Sequence, residues 1–118
     1  MERRPFEIVY TVDELNRFAS IGKDNTYFGV TIDFGHYATN GIGLPRLDQL
    51  QLPVYDVHLS QGTDGKVHKS LMLENGFVDI EGALRSLAQY GYEGSVILEI
   101  ASDHRESRVL AEKILELI

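Results

Sequence analysis

Three short segments rich in β-branched and aromatic residues alternate with segments of helical period, and this alternation is what most constrains the fold. The segments are 28–35 (FGVTIDFG), 54–60 (VYDVHLS) and 95–101 (SVILEIA). Runs of this length and composition favour β-strands. Because strands joined through helical crossovers pair in parallel, the sequence predicts an α/β fold with about three parallel strands and flanking helices.

The segments between the strands carry helix and loop signals. The expected helix starts are Thr11 with Glu14, Asp79, and Asp103 with Glu106. The helix after Asp79 is expected to end at Gly91, because glycine readily adopts the left-handed conformation that closes helices. A loop with one short helix around 45–51 is predicted within 37–53, and the polar segment 61–76 is predicted to be a long loop.

Polar residues occupy one face of each predicted strand, near its C-terminal end. Side chains alternate across a strand, so Asp33, His58 and Glu99 each lie on the face opposite the apolar one. Parallel strands place their C-terminal ends at one edge of the sheet, where ligand sites form in α/β folds. We therefore expect these three side chains to converge in space. On the middle strand, the residues predicted to face the helices are Tyr55, Val57 and Leu59.

Two carboxylates and an imidazole form a donor set that suits manganese, magnesium, cobalt or zinc. A single aspartate at a strand end is also typical of a cap or turn, and a lone histidine in a buried strand is usually a hydrogen-bonded structural residue. The coincidence of three such positions favours a divalent-metal site. The residues His36, Asp56 and His68 are individually more typical of loops or of the surroundings of a metal site than of direct ligands.

Charge and composition exclude several classes of protein. The formal net charge is −7 with no basic block, which disfavours nucleic acid as a partner because phosphate binding needs clustered Lys and Arg. The chain has no cysteine, so neither disulfides nor thiolate metal sites can form. No apolar run approaches the length of a membrane span, and the cytoplasm is the default location expected.

Three segments carry a family resemblance: DFGH at 33–36, VHLS at 57–60 and ILEI at 97–100. They resemble strands six to eight of the xylose-isomerase-like TIM-barrel superfamily, which holds sugar-phosphate isomerases and epimerases together with the endonuclease IV enzymes. The run at 74–99 (ENGFVDIEGALRSLAQYGYEGSVILE) also follows the family's usual order of a turn, a helix and the approach to the last strand. The resemblance covers nearly the whole chain. It implies that residues 1–118 are a single partial TIM-barrel domain, the C-terminal half of a barrel.

The resemblance also implies roles for individual residues. It makes Asp33, His58 and Glu99 ligands of a divalent metal, with Glu99 also the catalytic base. It gives His36 a contact with substrate or a part in positioning the metal. Glu2, near the position of the end of strand five, becomes the fourth ligand and the partner acid or base.

The activity implied by the resemblance is isomerisation or epimerisation of a sugar or sugar phosphate, with proton transfer through an enediolate. One alternative is a half-barrel that binds metal or assembles with a partner but has no catalytic activity. Endonuclease IV-like phosphodiester hydrolysis is disfavoured, because Lys66-Val67-His68 stands where those enzymes carry an Asp-x-His pair.

A complete barrel needs about 250 residues, whereas this chain has 118. An isolated three-stranded parallel sheet leaves both edges and one face unpaired, which single domains avoid. We therefore expect association, either as a homo-oligomer or with a separate chain that supplies the N-terminal half-barrel; a truncated barrel is the remaining interpretation.

Overall fold

Three parallel strands form the central sheet of the computed structural model, which describes residues 11–22 and 27–118. The strands are β1 (Val30–Asp33), β2 (Val54–Leu59), β3 (Gln61–Thr63), β4 (Lys66–Lys69) and β5 (Val96–Leu98). The helices are α1 (Val12–Asn16), α2 (Ala19–Gly22), α3 (Phe34–Thr39), α4 (Ile80–Tyr90) and α5 (His104–Glu116), with a 3₁₀ turn at Leu47–Gln49. The order β1-β2-β5, parallel throughout, confirms the predicted α/β class with three parallel strands and flanking helices.

The core lies between one face of this sheet and the helices. Ile32 on β1 and Val57 and Leu59 on β2 are completely buried, and they pack in one cluster with Ala83 and Leu84 of α4. The spacing of the buried α4 residues follows the helical period, so one stripe of the helix faces the sheet. Because this face is buried against the helices, the opposite face, which carries the polar residues, lies on the open side of the sheet.

A β-bulge changes the predicted faces at the start of β2. Val30 pairs with Val54, but the next residue of β1, Thr31, pairs with Asp56, so Tyr55 is an extra residue in the ladder. As a result Tyr55 is 52% exposed while Val54 is buried. The prediction that Tyr55 faces the helices with Val57 and Leu59 is therefore wrong, because strict alternation fails where a bulge is inserted.

Three elements, one helix and two strands, were not predicted from the sequence. Helix α3 begins immediately after β1, within the predicted strand 28–35, and it extends into the predicted loop 37–53; Asp33 is its N-cap. Strands β3 and β4 form an antiparallel hairpin within the predicted loop 61–76. The hairpin turns at Asp64-Gly65, where Gly65 takes a φ of 71° that glycine adopts without steric penalty.

The predicted helix caps are confirmed in two cases out of three. Thr11 and Glu14 form a reciprocal capping box at α1, and Asp79 accepts the Gly82 N–H at the start of α4, which ends at Gly91. Helix α5 follows Asp103 as expected, but the Asp103 side chain makes no capping hydrogen bond. Its φ of 57° is left-handed, unlike the extended backbone typical of capping residues.

The sheet ends at β1 on one side and at β5 on the other, and within the described ranges each of these strands pairs on one side only. None of the helices in the described part of the chain combines the length and apolar character needed to cross a membrane.

Candidate metal centre

The three predicted site residues meet at the C-terminal edge of the sheet. Asp33 and His58 are paired in register across β1 and β2, and the Glu99 N–H donates to the Leu59 carbonyl at 3.1 Å just beyond β5. One ligand atom from each of Asp33, His58 and Glu99 can be chosen so that all lie within 4.8 Å of one another. The predicted convergence is confirmed, and a role in metal binding stays a prediction.

Asp33 is held rigidly because it ends β1 and caps α3. Its Oδ1 accepts the His36 backbone N–H at 3.0 Å, and its Oδ2 lies 2.9 Å from His36 Nδ1. The Asp33 side chain is only 19% exposed, and the His36 side chain is only 15% exposed. One oxygen of the Asp33 carboxylate, Oδ1, thus caps the helix, as strand-end aspartates commonly do. The other oxygen, Oδ2, lies toward His58 in the expected site.

The glycine of the DFGH motif permits a close approach of α3 to β2. A Cβ atom built on Gly35 would lie 2.3 Å from Ser60 Oγ and 3.4 Å from Asp33 Oδ1. Because Ser60 is 1% exposed, its hydroxyl has little room to move. Glycine at this position therefore keeps the first turn of α3, and with it His36, against the rim of the sheet.

His58 is surrounded by carboxylates. Its Nδ1 lies 3.0 Å from Glu99 Oε2 and 3.8 Å from Asp33 Oδ2, while its Nε2 lies 2.9 Å from Asp56 Oδ2. The imidazole side chain is 28% exposed. Three carboxylates around one imidazole concentrate negative charge at this edge, which a bound cation would offset.

The β3–β4 hairpin brings a third histidine to the site. His68 Nδ1 lies 3.2 Å from the Glu99 carbonyl oxygen and 3.7 Å from Glu99 Oε2, and the His68 carbonyl accepts the Ala101 N–H at 3.0 Å. Its ring packs edge-on against His36, with centroids 5.3 Å apart. His68 has a φ of 61°, a left-handed conformation uncommon for residues other than glycine.

His68 and Asp56 lie beside the proposed ligands, in the surroundings of the candidate site, which is one of the two places the sequence indicated for them. Asp56 has a detectable signal, because residues two apart on a strand share a face and Asp56 precedes His58 by two. For His68 the Asp64-Gly65 pair is a hairpin signal, but the flanking strands are too short and polar for the pairing to be predicted. Glu2, the predicted fourth ligand, lies outside the described residues.

The donor set fits a divalent cation. Asp33 and Glu99 offer anionic oxygens, His58 offers an imidazole nitrogen, and this mixture suits borderline and hard divalent metals. Asp56 Oδ2 also lies 2.9 Å from Nε2, the second ring nitrogen of His58, and this nitrogen almost always has a hydrogen-bond partner in metal-bound histidines. These three residues would hold the ion, with His36 beside Asp33 and His68 beside Glu99.

Comparisons with protein-family models and with solved structures each found a match. Residues 1–118 match the family model described as "Xylose isomerase-like TIM barrel". Among solved structures, a "D-tagatose 3-epimerase-like protein" superposes with a TM-score of 0.65 at 24% sequence identity, over 91% of this chain and 41% of that one. The chain thus spans less than half of that protein's length. No curated protein matches it.

Proposed function

This chain belongs to the xylose isomerase-like TIM-barrel family, and on that premise we propose that it is the C-terminal half-barrel of a divalent-metal-dependent sugar or sugar-phosphate isomerase or epimerase. The observation that carries the proposal is the meeting of Asp33, His58 and Glu99 at the C-terminal edge of three parallel strands. In barrels built from such strands, this edge is where active sites lie. The name of the structural neighbour, an epimerase-like protein, agrees with this reaction class.

The proposed chemistry is the transfer of a proton between carbon atoms next to a carbonyl group. A divalent cation held by Asp33, His58 and Glu99 would supply Lewis acidity toward the carbonyl and hydroxyl oxygens of the substrate. Glu99 is the base that removes the proton, and its side chain, 46% exposed, can be reached from the open side of the sheet. Asp33 and His58, which are less exposed, serve as ligands.

The rim residues have supporting roles in this proposal. His36 contacts the substrate or helps to position the metal; its ring lies beside the Asp33 carboxylate, with Nδ1 2.9 Å from Oδ2, and packs against the His68 ring. We assign Glu2 as the fourth ligand and partner acid or base, a role that rests on the sequence resemblance alone. Metal identity is open among manganese, magnesium, cobalt and zinc, and a cytoplasmic location stays a prediction.

Completion of the barrel is part of the same proposal. Both sheet edges are open within the described ranges, and Ile97, on the same face as the site residues, is 46% exposed. A second copy of the chain or an N-terminal half-barrel would cover this face and pair with these edges. We propose that residues 1–118 form one partial-barrel domain that works in such an assembly.

A second candidate function is a half-barrel that binds metal or assembles with a partner without catalysis. It is favoured by one observation, that the chain spans 41% of the structural neighbour, so that much of a full barrel's substrate pocket lies elsewhere. Endonuclease-like phosphodiester hydrolysis is less well supported, since Lys66 stands in the position expected for an aspartate and the net charge is −7.

Deuterium exchange separates these functions. The chain, loaded with Mn²⁺, is incubated in D₂O with a panel of aldoses, ketoses and their phosphates, and ¹H NMR follows loss of the proton next to the carbonyl. The isomerase proposal predicts exchange or a new sugar isomer with at least one substrate, abolished in Glu99→Gln but retained in the exposed control Glu112→Gln on α5. Metal binding without any exchange supports the non-catalytic candidate, and exchange unaffected by Glu99→Gln contradicts the proposed base.

A further inference from the structure

We propose that Asp56 is a positioning residue of the metal centre, which fixes the His58 ring so that Nδ1 faces Asp33 and Glu99. The inference rests on the proposed metal site. It assigns a role to a residue that is neither a proposed ligand nor a substrate contact. The juxtaposition that carries it is a carboxylate on one ring nitrogen of His58 and two proposed ligand carboxylates around the other.

The Asp56 carboxylate is itself fixed by the backbone. Its Oδ1 accepts the Val57 N–H at 3.1 Å, and its Oδ2 lies 2.9 Å from His58 Nε2. Val57 is completely buried and is paired in register with both neighbouring strands. The backbone N–H that anchors the carboxylate therefore belongs to a buried residue in the middle strand of the sheet and not to a loop.

The bulge at Tyr55 prepares this arrangement. Asp56 shares a face with His58 because the two are two residues apart on β2. The bulge sets their register against β1, so that Asp56, rather than Tyr55, pairs with Thr31 and His58 pairs with Asp33. The Tyr55 ring, in turn, lies over Gly29, where an added Cβ would come within 2.4 Å of it. Bulges of this kind commonly re-aim a side chain beside a functional site.

The chemistry of imidazole explains why the partner matters. A histidine binds a metal through the lone pair of one ring nitrogen while the other nitrogen carries a proton and donates it. A carboxylate that accepts this hydrogen bond fixes the tautomer and the ring orientation and makes the ligating nitrogen a stronger donor. Asp56 Oδ2 lies within hydrogen-bond distance of Nε2, at 2.9 Å, and a proton on Nε2 leaves Nδ1 as the metal-binding atom.

Asp56 is not placed to be a ligand itself. The lone pairs of the two ring nitrogens diverge, so a carboxylate at hydrogen-bond distance from Nε2 lies on the far side of the ring from a metal on Nδ1. In agreement, the described residues whose ligand atoms can come together around one ion are Asp33, His58 and Glu99, without Asp56. Its effect on the ion must therefore pass through His58.

The test is a calorimetric titration of the metal-free protein with Zn²⁺. Loss of a carboxylate that orients a metal-bound histidine typically weakens affinity about 10- to 100-fold, and we expect a loss in that range for Asp56→Ala. Asp56→Asn keeps one oxygen acceptor in place of two, so an intermediate affinity is expected. The matched control is Glu81→Gln, a change of the same charge at an exposed residue of α4 that pairs with Arg85; its affinity should equal that of the wild type.

Two further measurements distinguish positioning from a structural role. The melting temperature of the metal-free Asp56→Ala protein should not fall, because the change also relieves repulsion among three carboxylates; a merely structural residue would lower it. Long-range ¹H–¹⁵N NMR of the Zn²⁺-loaded wild type should show His58 protonated on Nε2 and bound through Nδ1. Asp56→Ala should not show this single His58 tautomer, and Asp56→Asn should show it in part.

The outcomes separate the failure of this inference from the failure of the proposed function. Wild-type affinity in Asp56→Ala, with wild-type protein that binds Zn²⁺, overturns the role of Asp56 and leaves the metal site standing. A wild-type protein that binds no Zn²⁺ overturns the metal site and this inference together. If Asp56→Ala does not fold, wild-type affinity in Asp56→Asn with an unchanged His58 signal overturns the role.

Discussion

Asp33 has two tasks that two substitutions can separate. One of its oxygens caps α3 by accepting the His36 N–H, and the other lies in the candidate metal centre. Asparagine is as good an N-cap as aspartate but lacks the negative charge that a divalent cation favours. Asp33→Asn should therefore keep the fold and lose the metal, whereas Asp33→Ala should weaken both.

The expected stability changes follow from these contacts. Loss of a capping side chain costs about 1 kcal/mol, which for a chain of this size lowers the melting temperature by about 4 °C. We expect that loss for metal-free Asp33→Ala. Metal-free Asp33→Asn should melt within about 2 °C of the wild type, since its amide oxygen can accept the same His36 N–H.

Metal binding adds a second, larger effect. A ligand that binds only the folded state stabilises it by about 2.7 kcal/mol at a concentration 100 times its dissociation constant, which corresponds to about 10 °C for this chain. The wild type should show that increase when Zn²⁺ or Mn²⁺ is added at saturation. Both Asp33 variants should show little or none of it at the same concentration.

Differential scanning calorimetry with and without metal measures both effects on the same samples. The control is Asp48→Asn, an exposed carboxylate that pairs with Arg46 away from the sheet edge, and it should respond to metal as the wild type does. An Asp33→Asn protein with the full metal-induced increase would refute the assignment of Asp33 as a ligand. An unfolded Asp33→Asn protein would refute the separation of cap and ligand roles.

Three other predictions concern packing, pH and association. Gly35→Ala should lower the free energy of unfolding measured by urea denaturation by about 1–3 kcal/mol, because the added Cβ would clash with Ser60 Oγ. In the Ser60→Ala background the same change should cost much less. An equal cost in both backgrounds would contradict this clash. Burial, and secondarily the charge of Glu14, raises the pKa of Tyr37 to about 12. Because the unfolded chain loses the tyrosine proton at a lower pH than the folded chain, the free energy of unfolding should fall as pH rises from about 10 to 12, by no more than about 2 kcal/mol. Tyr37→Phe should remove this part of the pH dependence, and an unchanged slope in that variant would contradict the prediction. Sedimentation equilibrium should show that the chain associates with itself or with an added N-terminal half-barrel chain. Ile97→Asp, on the exposed face that carries the site, should weaken this association. A monomer both alone and with the added chain would contradict completion of the barrel by association.

The parts of the fold that follow from a repeated pattern could be predicted from the sequence. Alternation of strands and helices gave the parallel sheet, and the position of Asp33, His58 and Glu99 near their strand ends gave the convergence at one edge. Both depend on the two-residue period of strands and on the shared direction of parallel strands. Both are properties of whole strands, so a local irregularity such as the bulge at Tyr55 does not change the strand pairing or the edge at which the strands end.

The features that the sequence did not predict depend on single residues or on tertiary contacts. The bulge at Tyr55 leaves no signal in the alternation of a six-residue strand, yet it decides which side chain faces solvent. The β3–β4 hairpin consists of polar strands of three and four residues, which are stable because other segments hold them. Gln61, for example, is buried and binds both the N–H and the carbonyl of Val78 through its amide.

Helix α5 illustrates the limit of local capping signals. Asp103 and Glu106 have the spacing of a capping box, but Asp103 adopts a left-handed backbone conformation and makes no cap with its side chain. A tertiary contact fixes this helix instead: the Ser107 hydroxyl, completely buried, accepts the Leu71 N–H at 3.2 Å. Contacts between residues so far apart in sequence cannot be inferred from local spacing.

The central claim is that Asp33, His58 and Glu99 bind one divalent cation, and anomalous diffraction from crystals grown with Zn²⁺ tests it most directly. The account predicts an anomalous peak about 2.0–2.2 Å from His58 Nδ1 and from a carboxylate oxygen of both Asp33 and Glu99. The peak should be absent in Glu99→Ala crystals grown in the same way. A zinc-containing crystal with no peak at this edge of the sheet, or with zinc bound without these three residues, would contradict the claim.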